Sequence, residues 1–149
     1  MRYLYLLIVV IVFICLVSYC YHSGKERTIV RDEIMFNDLL LQGEVIEIKT
    51  SRNHSFGILL LELDSVNTGR FVDTLLKEGI YPYKVKARKA EVYVGIPAGI
   101  QKGDKVIVDS NKKMAFYHYI KEDKHYNGDL GVVIDPSDID YVKENTSFK

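Results

Sequence analysis

From Tyr3 to Cys20 the chain runs 18 residues without a charge, and Ser18 is its one strongly polar side chain. As a helix rising about 1.5 Å per residue, that run is roughly 27 Å long, close to the roughly 30 Å of bilayer hydrocarbon. A buried helix of a globular protein keeps a polar stripe for solvent, and this run is apolar all round. The segment therefore addresses the chain to a membrane, or to export across one, before any fold is considered.

Three readings apply to residues 1–21. Tyr3, Tyr5, Tyr19 and Tyr21 stand at the two ends of an Ile, Val and Leu core, where the headgroup region favours amphipathic rings. That pattern is an uncleaved transmembrane anchor, and it is the reading adopted. A cleaved signal peptide would have only Arg2 and the amino terminus as its positive start, a long apolar core, and Tyr19 in place of a small residue near the cleavage site. A lipoprotein acylated at Cys20 also expects a small residue where Tyr19 stands. Orientation is contested within the sequence. Lys25, Arg27 and Arg31 after the run outnumber Arg2 before it and favour a cytoplasmic domain. The very short amino-terminal tail instead looks like an export signal, and an extracytoplasmic domain is expected.

Without residues 1–21 there remain 128 of the 149, enough for one domain. Residues 22–28 read as a polar tether, 29–144 as a single β-rich domain and 145–149 as a frayed tail. Of the 20 Lys and Arg only Arg2 lies in the removed part, leaving 19 basic against 20 acidic residues. That balance argues against nucleic acid as a partner, whose phosphates need uncompensated cations. Both cysteines, Cys15 and Cys20, fall in the apolar run, so the domain holds together without disulfides or thiolate chemistry.

Along the domain, residues 29–41 are mixed, with Gly43 placed to end a short helix. Residues 44–49 and 56–63 read as a hairpin across the polar run 50–55. Phe71, Val72, Leu75 and Leu76 mark one face of a two-turn helix that Gly79 would cap. Tyr83, Val85 and Ala87 share one parity and Ala90, Val92 and Val94 the other, so a break or bulge is required near Arg88 and Lys89. Gly99 and Gly103 bracket Ile100, a tight connection that tucks one apolar plug into the core. Strands over 105–109 and 114–120 follow, then a charged loop over 121–129, a short buried strand over 131–134, and a helix opened by Pro136. About six short strands with one or two short helices make the fold class mainly β, a small antiparallel barrel or sandwich behind an N-terminal transmembrane helix.

The stretch Gly-Ile-Gln-Lys-Gly-Asp-Lys-Val-Ile-Val, residues 99–108, resembles the turn-plus-strand of oligonucleotide-binding-type and SH3-like barrels. More broadly the chain looks like uncharacterised small membrane-anchored or lipoprotein-like β-domain proteins of bacterial genomes. That resemblance implies a place in the cell envelope and no activity.

No catalytic constellation emerges. There is no Gly-x-Ser-x-Gly, no His-Glu-x-x-His and no phosphate-cradling glycine loop. Asp104 and Asp109 stand five apart on one strand and point to opposite faces. His118 and His125 flank a loop carrying Glu122 and Asp123, where a metal cluster or a scattered-residue enzyme site needs the loop to fold back. The reading taken is one strand histidine and one solvated histidine, with no metal and no cofactor. Binding character is confined to Tyr83, Lys84, Lys86 and Arg88, a basic strand face with tyrosines nearby. Such a face suits an anionic polymer or lipid headgroups, and equally suits a charged edge strand that repels aggregation. The expectation is thus a non-enzymatic binding domain tethered by residues 3–20, with a protein or anionic ligand as partner. Two alternatives stand beside it: an enzyme or enzyme subunit using His118 and His125, and a structural component acting through the helix.

Overall fold

The computed structural model describes residues 2–52, 55–68, 70–71 and 79–148. It divides into two compact units, Met1–Ile34 and Met35–Lys149. Helix α1 spans Arg2–Met35. Its window Ile8–Lys25 is long and apolar enough to cross a membrane, as an anchor or a signal sequence would be, and none of it is buried. The polar residues 22–28 are helical and continue α1, and the helix then runs on to Met35 without a separate short helix over 29–41. No proline or glycine interrupts 25–35, so nothing local ends the helix earlier.

The second unit is built on β1 (Leu40–Thr50), β2 (Phe56–Val66), β3 (Arg70–Phe71), β4 (Tyr83–Lys86), β5 (Lys89–Gly95), β6 (Lys105–Asp109), β7 (Met114–Tyr119) and β8 (Lys124–Asp129), closed by helix α2 (Pro136–Asn145). They form one antiparallel sheet in the order β3-β4-β5-β2-β1-β6-β7-β8. Phe71 is a strand residue paired with Val85, and the expected helix beyond it lies outside the described residues. Gly43, expected to cap a helix, sits inside β1 at a register shift. A Cβ there would stand 2.5 Å from the Glu62 carbonyl oxygen, so close backbone approach, not a helix end, accounts for the glycine.

Register shifts at Gln42/Gly43 and Val45/Glu47 bend β1. Beyond Glu44 its other edge leaves β6, and Val45 pairs instead with the 103–104 connection through both its N–H and its C=O. The bent sheet turns one face inward around a single core. Leu41, Leu59, Leu61, Tyr83, Val85, Val92, Val106 and Val108 meet there, with Met35, Leu39, Ile100 and Leu130 filling from the connections. Ile100 is the expected plug, between Gly99 at φ +87° and Gly103 at φ +95°. The Asp104 carboxylate staples it, accepting from Gln101 N–H at 2.7 Å and Ile120 N–H at 3.0 Å.

The sheet is not closed. Among the described residues no ladder joins β3 to β8, so the barrel half of the expectation gives way to an open, sandwich-like sheet. Two further corrections concern its edge. The charged run 121–129 is a turn followed by strand β8, and residues 131–134 contribute only an isolated bridge between Ile80 and Val133. An edge strand with exposed side chains shows no hydrophobic alternation, whereas Val133 is buried against Phe56, Ile58 and Val142 without joining a strand.

On the outer face of β2 and β5, Phe56, Ile58 and Tyr93 form a second cluster with Ile80, Val133 and Val142 of α2. Asp135 caps α2, accepting from Ser137 N–H at 2.8 Å, and Pro136 opens its first turn. The chain end then lies against the same face. Glu91 of β5 is fully buried and accepts from Tyr93 Oη at 2.9 Å, Thr146 Oγ1 at 2.7 Å and Ser147 N–H at 2.6 Å. Lys49 Nζ donates to the Asn145 carbonyl and to Ser147 Oγ, both at 2.8 Å, and Lys84 Nζ to the Phe148 carbonyl at 3.2 Å.

Candidate functional site

The basic strand residues separate across the sheet. Tyr83 is fully buried on the core face, where its hydroxyl pairs with the Asn37 side chain at 2.7 Å. Lys84 lies on the opposite face and holds the chain end. The parity flip near Arg88 is a tight hairpin, with Lys86 paired to Lys89 and Ala87 at φ +56°. Lys86, Arg88 and Lys89 are exposed at its tip and make no ion pair among the described residues. Of the four residues singled out, then, Lys86 and Arg88 come together at a tip, while Tyr83 and Lys84 serve packing.

A larger feature lies where the sheet stays open. The end of β5 and the Pro97–Ala98 connection face β7 and β8 across a cleft of about 570 Å³. Tyr117, Tyr119 and Tyr126 line it, with Asn127 and Asp129. The rings of Tyr119 and Tyr126 sit 4.9 Å apart, and Tyr119 Oη donates to the Ala98 carbonyl at 2.9 Å, bridging the mouth. A second hollow of about 330 Å³ shares Val94, Gly95 and Asp129 with the first and adds Asp135 and Asp138. Volumes in this range, an aromatic lining and few polar groups characterise ligand clefts. The sequence signal is in residues 114–120, where Phe116 and His118 alternate with Tyr117 and Tyr119 and so put rings on both faces of the strand.

Burial pushes the Tyr117 hydroxyl up to about 12, with Tyr119 adding to it, and burial likewise holds Tyr83 at about 12. The unfolded chain ionises these phenols from about pH 10 while the folded chain resists. Their stabilising contribution is therefore complete below pH 10 and is lost as pH rises toward 12. Each contributes on the order of 2 kcal/mol to the loss near pH 11.5. Urea unfolding of the full chain in micelles is expected to show this fall. Tyr117→Phe, whose hydroxyl has no hydrogen-bond partner among the described residues, should reduce it by about 2 kcal/mol.

On the outer face of the same hairpin, β7 and β8 place His118 directly opposite His125. The rings stack with centroids 4.1 Å apart and planes 21° off parallel. His118 Nε2 lies 3.0 Å from Asp123 Oδ1 in the turn. The structure thus joins the two histidines as neighbours where the sequence leaves one in a loop.

The chain matches no known protein-family model, no curated protein and no solved structure.

Proposed function

We propose that this chain is a non-enzymatic, membrane-tethered binding domain of the bacterial cell envelope, and that it takes an extended peptide segment of a partner protein along β8. In this reading α1 is an uncleaved single-pass anchor and the β-domain is extracytoplasmic. The observation that carries it is the tyrosine-lined cleft of about 570 Å³ beside an edge strand. Among the described residues β8 pairs with β7 alone, so its other edge offers backbone N–H and C=O groups to an added strand. Tyr117, Tyr119 and Tyr126 supply rigid apolar surface for alternate side chains, and Asp129, Asp135 and Asp138 favour a basic segment.

A second reading keeps an anionic partner at Lys86 and Arg88, favoured by three exposed cations on one hairpin tip, Lys89 being the third. One experiment separates the two. A photoreactive benzophenone residue is placed in the full chain at position 127, 88 or 143, and irradiated in intact membranes. The expected result is a discrete protein adduct from position 127 only, reduced about tenfold or more by Tyr126→Asp. An adduct from position 88 instead of 127 supports the anionic-partner reading. Equal labelling from all three positions, 143 on α2 included, overturns both.

A further inference from the structure

We propose that His118, Asp123 and His125 form a binding site for one divalent transition-metal ion of the zinc class, with at least one coordination position left open. The three side chains lie on the other face of the β7–β8 hairpin from the cleft.

Backbone pairing builds it. The ladder runs without interruption from Met114–Asp129 to Tyr119–Lys124, so His118 and His125 are locked as a cross-strand pair. Such a pair projects from one face with its Cβ atoms about 5 Å apart. The turn that follows β7 carries Asp123 at φ +50° and returns its carboxylate to His118. One ligand atom from each of the three residues falls within 4.8 Å of the other two.

The distances suit an ion between them. Zinc arms of about 2.0–2.1 Å in a tetrahedron hold neighbouring ligand atoms about 3.3 Å apart. His118 Nε2 and Asp123 Oδ1, at 3.0 Å, need to open by only a few tenths of an ångström. His125 has farther to come, but it is exposed, as is Asp123, so both turn without repacking the core. Two imidazoles and one carboxylate select zinc, nickel or copper over calcium and magnesium, which prefer all-oxygen sets.

The surrounding charges leave room for a cation. Lys105 is the cross-strand neighbour of His118 on the β6 side, and its ammonium is drawn to Asp64 at 2.9 Å and Glu44 at 3.3 Å. Lys124 is engaged by Glu122 at 2.7 Å. Both histidines also line a hollow of about 210 Å³ with Gln42, Lys105, Ile107, Phe116, Tyr117 and Tyr126, space for water or a partner's ligand at the open position.

The full chain, carrying no histidine tag, is titrated in detergent micelles with Co²⁺ as optical probe and then with Zn²⁺ in competition. Saturation at one ion per chain is expected, with ligand-field absorption that Zn²⁺ displaces. His118→Gln and His125→Gln should each weaken binding at least about tenfold, and Asp123→Asn by about tenfold. Thermal unfolding without metal checks that each variant is folded. His22→Ala/His54→Ala should bind as the parent does. Failure to saturate at one ion per chain, or equal saturation in the His118→Gln/His125→Gln double variant, overturns the proposal. So does an Asp123→Asn variant that unfolds earlier yet binds Co²⁺ unchanged together with both histidine variants, which would make the cluster a turn clasp only.

Discussion

Glu91→Ala is expected to cost the β-domain about 3–5 kcal/mol, read as a fall in urea-unfolding free energy of the full chain in micelles. Two causes combine. The substitution empties a fully buried site, and it removes the carboxylate to which Tyr93 Oη, Thr146 Oγ1 and the Ser147 N–H all donate. A buried donor that loses its acceptor costs about 1–3 kcal/mol, which applies to Tyr93, while half-buried Thr146 and exposed Ser147 cost less because water reaches them. Small domains have about 5–15 kcal/mol in total, so the variant sits near the edge of folding. Glu91→Gln is the discriminating control. Its carbonyl can still accept from Ser147, and the two hydroxyls can rotate to accept from its amide, so a loss of only about 1 kcal/mol is expected. Equal losses for Ala and Gln would mean that the side chain fills space and the three hydrogen bonds contribute little.

Glu91 also shows where sequence reasoning stops. The alternation of Ala90, Val92 and Val94 marks the core face of β5 and assigns Glu91 and Tyr93 to the other side. Nothing in those residues says that this other side is covered, because α2 and the chain end reach it from some fifty residues away. What was legible was local. The parity flip at Arg88 and Lys89 required a break, and a hairpin stands there. Gly99 and Gly103 around Ile100 required a tucked connection, and positive φ and burial follow. What was hidden depended on edges. β8 carries Lys124, His125 and Asn127 on an exposed rim, a composition that pairing with β7 stabilises but no periodicity announces. With β8 unseen, His118 and His125 stayed seven residues apart in a strand and a loop instead of opposite each other. The open side of the sheet, and therefore the tyrosine cleft, was lost with it.

The largest effect is expected at α1. Val10→Lys/Ile14→Lys sets two ammonium groups one turn apart within the window that is long and apolar enough to span a bilayer. Each charge near a helix centre opposes insertion by about 2.5–3.5 kcal/mol, so the pair costs about 5–7 kcal/mol, enough to reverse the partition. Under alkaline carbonate extraction the parent chain should remain with the membrane and the double variant should leave it. A signal sequence would fail in the same way, so the mass of the membrane-held parent chain decides between them. An uncleaved anchor retains residues 1–21, and Cys20→Ser then changes neither extraction nor mass beyond the substitution. A chain beginning at or near Cys20, or a lipid-sized mass lost in Cys20→Ser, would overturn the anchor in favour of processing. The bulk of Tyr19 is the physical ground for expecting otherwise, since both processing routes expect a small residue at that place.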